Sequence, residues 1–135
     1  MKFNEGITII SGPGVNNFRP EGVEFIHHPE NNLHPMEQIN CMERLIKSYL
    51  DNRAPLNIRT NSPEIIQAIH LYMKKYNVFD ELHAGLVDQN GNLTDCGNDL
   101  DPIFEDLSKT FDFLMELRSE IENGSEKESN EEQQV

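Results

Sequence analysis

The sequence predicts an α/β fold: a mainly parallel sheet flanked by helices, with a further helix at the C-terminal end. Three observations predict it. Short β-branched runs, ended by Gly, Pro, Asn or Asp, recur along the chain. Amphipathic stretches with apolar residues at three- and four-residue spacing alternate with the later runs. The connections between them are short, which suits β-α-β-α order in a layered domain.

Gly6 to Ser11 is a buried strand, stopped by Gly12-Pro13-Gly14. Phe18-Arg19-Pro20-Glu21-Gly22 is a connector with no room for a crossover helix, so the pairing direction of strand 6–11 stays open. Val23 to His27 is a second strand. Pro35 then opens a helix at a position where proline is tolerated. Met36, Ile39, Met42, Leu45, Ile46, Tyr49 and Leu50 give its apolar stripe, over residues 36–51. Leu56 to Thr60 is a third strand. Ser62 suits an N-cap with Pro63 at N1, and Ile65, Ile66, Ile69, Tyr72, Met73 and Tyr76 mark a helix over 63–76. Residues 83–88 and 92–94 flank Asn90-Gly91, a strong hairpin signal. Leu100, Ile103, Phe104, Leu107, Phe111, Leu114 and Ile121 mark the buried face of a last helix, which Gly124 should end. The expectation is one domain over 1–122 and an acidic, disordered tail over 123–135.

At 135 residues the chain can hold one real core. No run approaches the ~20 apolar residues of a membrane span, and residues 1–5 carry no signal-peptide core. Cys41 and Cys96 lie far apart without metal spacing, as free thiols in a cytoplasmic protein would. The net charge is −13: residues 122–135 contribute −4 (five acids, one Lys) and the rest −9 (19 acids, 10 bases). That balance disfavours direct nucleic-acid binding and suits a protein partner.

The stretch around His27-His28-Pro29-Glu30-Asn31-Asn32-Leu33-His34-Pro35 carries most information. It resembles the Walker B strand and D-loop of ABC-type ATPases, in the RecF, SMC and overcoming-lysogenization-defect relatives. Gly-Ile-Thr-Ile-Ile-Ser-Gly-Pro at 6–13 resembles the opening strand of that family. Thr60, Ser62, Pro63 and Glu64 match its segment after the third strand. The copy is truncated and degenerate. His27 and His28 replace the acidic pair that the resemblance would assign to Mg²⁺ and water activation. Asn61 stands at the switch-His position. No P-loop Lys or Ser/Thr follows Gly14. Each component used in phosphoryl transfer is therefore missing, and neutral imidazole is a poor Mg²⁺ ligand.

The resemblance implies Asn31, Asn32, Leu33 and His34 as a D-loop-like interface and Asn61 as a switch-like position. Gly12 and Gly14 are a candidate anion-binding turn. No catalytic residue and no metal site is expected: His27 and His28 are adjacent and, on a strand, face opposite ways. The functional expectation is a non-catalytic, ATPase-like interaction module, an inhibitor or regulator of an ABC-type ATPase in a phage or defence setting by analogy. A homo-dimer is the other partner expected. The alternative is a nucleotide-binding or hydrolysing subunit completed by a partner chain, the only case in which ATP and Mg²⁺ would enter. The second alternative is an acidic DNA mimic.

Overall fold

A computed structural model of the chain describes residues 1–29 and 32–133, with side chains up to Gly124. It is α/β. Five strands, β1 (Ile7–Ser11), β2 (Ile26–His27), β3 (Leu56–Arg59), β4 (Leu82–Val87) and β5 (Leu93–Gly97), form one sheet in the order β2-β3-β1-β4-β5. Three helices accompany it: α1 (Pro35–Asn52), α2 (Pro63–Lys75) and α3 (Asp101–Gln133).

The open question about the first strand has a definite answer. β1 is the central strand and pairs parallel with both β3 and β4. Its five residues are all buried, as expected of a strand covered on both faces. β2 adds parallel to β3, and β4–β5 is the antiparallel hairpin. Asp88 Oδ1 accepts from the amides of Asn90 and Asn92, both at 2.9 Å, and so fixes the hairpin turn. The link from β1 to β2 passes over β3 without an α-helix. It holds only a 3₁₀ turn at Val15–Asn17.

β2 is shorter than the expected 23–27. Asn57 Nδ2 donates to the Glu24 carbonyl at 3.2 Å, so a side chain stands where a ladder bond would continue. Phe25 meets Phe3 edge to face, with ring centroids 5.9 Å apart.

α1 and α2 pack against each other and on the sheet. Ile7, Ile9, Met42, Ile46, Ile58, Ile65, Ile69 and Met73 form the centre of the core. Both helices start as their N-termini foretell, with Pro at N1. Ser62 Oγ accepts from the Ile65 amide at 3.3 Å. The cap of α1 is an imidazole: His34 Nδ1 accepts from the Met36 amide at 3.2 Å.

α3 departs from expectation twice. It passes through Gly124, where the sequence foresaw its end. Its apolar stripe is buried only at its beginning. Leu100 and Ile103 join the core, and Phe104 and Leu107 pack against it. Phe111, Leu114 and Ile121, expected on the buried face, are 63%, 53% and 61% exposed. The periodic positions do lie on one helix, but beyond Leu107 they are left exposed among the described residues. Among the described residues, no helix is long and apolar enough to cross a membrane.

Candidate functional site

The residues singled out by the motifs gather at the carboxyl ends of the parallel strands, the edge where open α/β sheets collect ligands. β1 delivers Ser11 and Gly12, β2 delivers His27 and His28, and β3 delivers Thr60 and Asn61.

Asn61 is the hub. Its Oδ1 accepts from Ser11 Oγ at 2.7 Å and from the Gly12 amide at 2.8 Å, while its Nδ2 donates to the Gly12 carbonyl at 3.3 Å. The switch-like position is therefore bonded to the loop after β1. The Gly14 amide donates to the Val87 carbonyl at 3.2 Å. Both amides of the candidate anion-binding turn are engaged within the chain.

The glycines have a packing reason. A Cβ at Gly14 would collide with the Asp88 carbonyl, and one at Gly12 with the Val87 carbonyl. The hairpin backbone presses on this turn, so only glycine fits.

His27 and His28 have different surroundings. His27 is in register with Arg59 across the β2–β3 pair and is exposed. Burial, followed by the charges of Arg59, Arg19 and His28, holds its imidazole below the usual histidine range. His28 has left the strand with φ of 42°. Its amide still donates to the Arg59 carbonyl at 2.7 Å, and its Nε2 lies 2.6 Å from Asn16 Oδ1. Among the described residues, no group of three or more His, Cys, Asp or Glu side chains is placed to hold a metal.

The D-loop-like turn is exposed at Asn32, Leu33 and His34, and Asn32 is left-handed with φ of 63°. Gln38 Nε2 donates to the Leu33 carbonyl at 3.0 Å and braces it from α1. Asn31, with Glu30, lies outside the described residues.

A cleft of about 620 Å³ joins this edge to α3. Gly12, Pro13, Asn61 and Pro63 form one wall, and Leu107, Phe111 and Leu114 the other. Sequence reading missed this juxtaposition. The signal lay in the long stripe of α3, which continues past the point where a compact domain could cover it. Sequence reading also missed Arg59, a charged residue 1% exposed within a strand.

No protein-family model, no curated protein and no solved structure matches the chain. The likeness to ABC-type ATPases rests on the short motifs quoted above.

Proposed function

We propose that this chain acts by binding another protein and performs no phosphoryl transfer of its own. The observation that carries this reading is the apolar outer half of α3. Phe111, Phe113, Leu114, Met115, Leu117 and Ile121 are all exposed on one helix. Large apolar side chains left exposed at this density on one helix mark interaction sites. Leu107, Phe111, Leu114, Arg118 and Ile121 repeat at four- and three-residue steps, the spacing of a helix-pairing seam. The seam borders the cleft to Asn61 and Pro63, so a partner seated on α3 also reaches the strand-end edge.

The partner class implied by the motifs is an ABC-type ATPase, engaged by a copy that lacks the catalytic groups. His27, His28 and Asn61 replace the residues that chemistry needs, and the turn at Gly12 and Gly14 has its amides engaged internally. A second copy of the chain is the competing partner, favoured by the self-complementary spacing of the α3 seam.

The test compares the wild-type chain with the Phe111→Asp/Leu114→Asp variant in affinity capture from the native host and in light scattering. The wild type should retain a partner, or self-associate, and the variant should do neither. Salt separates the partners. Two copies each carrying −13 associate better as salt screens their repulsion, whereas a basic partner is released. Undiminished partner binding by the variant would remove α3 from the reading. Phosphate release from ATP with Mg²⁺ should not exceed the buffer control. Turnover that disappears on His28→Ala would overturn the non-catalytic reading.

A further inference from the structure

Arg59 is the most deeply buried charged residue described, at 1% exposure. Its Nη1 donates to the Asn16 carbonyl at 3.2 Å, and its guanidinium sits 4.5 Å from the centroid of the Phe25 ring. Its Nε is buried and meets no acceptor. Among the described residues it has no carboxylate partner, in a protein with 24 acids to choose from. Buried charges are ordinarily paired, because an uncompensated one costs several kcal/mol. Arg59 is therefore the kind of group that a ligand completes.

Its surroundings point the same way. A cleft of about 360 Å³ is lined by Arg59, Arg19, His27, Phe25, Val23 and Glu24. Arg19 is exposed and, among the described residues, also has no ion-pair partner. Two guanidinium groups and an imidazole thus share one pocket, and among the described residues Glu24 is the one carboxylate in its walls. Burial and then Arg19 make Arg59 easier to deprotonate than usual, and His27 is held down by burial, then Arg59, Arg19 and His28.

We propose that this cleft binds a small phosphate-class oxyanion, held by the guanidinium groups of Arg59 and Arg19 and by His27. Guanidinium forks match tetrahedral oxyanions in geometry and charge. A bound anion also favours the protonated imidazole, so occupancy of the cleft raises the His27 pKa, while the phosphate itself passes from dianion to monoanion over a similar range. The groups facing His27 that bear on its titration are Arg59 on β3, Arg19 and Glu24 on the connector before β2, and His28. The site lies on the β2 edge of the sheet, away from α3, and stands independently of the proposed protein-binding role. The ligand is either free phosphate or the phosphate group of a small ester.

The test is a titration of the full chain with inorganic phosphate at constant ionic strength, with chloride as control and the histidine resonances followed by NMR. Phosphate should move the His27 titration upward and leave that of His34, outside the cleft, in place. Arg19→Gln, a change at an exposed position, should weaken binding about tenfold, as loss of one charge-assisted contact does, and remove the His27 shift. Arg59→Met, if it folds, should abolish binding; if it does not fold, His27→Gln with Arg19→Gln replaces it. Ribose 5-phosphate distinguishes the sources: tighter binding than inorganic phosphate assigns an ester, equal binding assigns the free ion. Phosphate binding no better than chloride, or an unchanged affinity in Arg19→Gln, would overturn the proposal.

Discussion

Asn61 grips the Gly12 peptide from both sides, accepting from its amide at 2.8 Å and donating to its carbonyl at 3.3 Å. A side chain at the end of β3 thereby holds the loop that follows β1. Each satisfies the other.

Asn61→Ala should destabilise the fold by about 1–3 kcal/mol, since Ser11 Oγ and the Gly12 amide lose their acceptor together, while the Gly12 carbonyl keeps the Val15 amide. Equilibrium denaturation in urea checks this. A change within about 0.5 kcal/mol, as at an ordinary surface position, would mean the bonds are replaced by water at no cost.

Gly14→Ala should cost about 1–3 kcal/mol through overpacking, because the new methyl meets the Asp88 carbonyl and the hairpin must shift. Gly124→Ala on α3, where an added Cβ meets nothing, provides the control and should be neutral or stabilising. Equal effects at the two sites would refute the packing account of the turn.

The two halves of α3 should respond differently to truncation. Ile103→Ala removes a fully buried side chain and should cost about 2–5 kcal/mol. Phe111→Ala, measured in dilute protein where no second chain covers it, should fall within about 0.5 kcal/mol of wild type. Paired thermal melts give the comparison directly. A large loss at Phe111 would show that this residue is covered within the single chain.

Stability should decline as pH drops below 6.5. His70 lies against Phe79 with ring centroids 5.0 Å apart and planes tilted by 45°, and its Nδ1 is buried without a partner. Burial and then the Lys74 charge lower its pKa from 6.5, partly opposed by Asp101. A lowered folded-state pKa means the unfolded chain binds more protons in that window, so stability rises with pH and is complete above the unfolded value. His27 acts with the same sign. Asp88 and Asp95, both lowered chiefly by backbone hydrogen bonds, lose their contribution only in the acid range below 3.8. His70→Gln should flatten the slope just below pH 6.5 and leave the acid limb unchanged.

Much of the layered fold could be read from residue order. Ile7 to Ile10 and Leu56 to Arg59 are strands because β-branched and apolar residues crowd between glycine, proline and asparagine. The two core helices follow from their apolar spacing, and Ser62-Pro63 announces its own cap. What escaped reading depends on which distant groups meet. Nothing near His34 in sequence says that an imidazole will cap α1 in place of a hydroxyl. The glycines at 12 and 14 resemble a ligand-binding turn, and only the hairpin pressing on them from residues 87–88 explains them otherwise. Arg59 sits in a strand whose sequence does not say that the Phe25 ring will lie against its guanidinium. Phe111, Leu114 and Ile121 carry the same periodic signal as Ile103, since periodicity reports a face and not what stands opposite.

The placement of β1 also governs how the chain can assemble. Its residues come first among the strands, yet its hydrogen-bonding neighbours begin at Leu56 on one side and Leu82 on the other. Until residues 56–59 and 82–86 have been synthesised, Ile7, Ile9 and Ile10 have neither of their pairing strands. Pairing must wait for long loops to close, which slows folding and lengthens exposure of a sticky edge. Until β4 is available, one edge of β1 stays unpaired at the centre of the sheet.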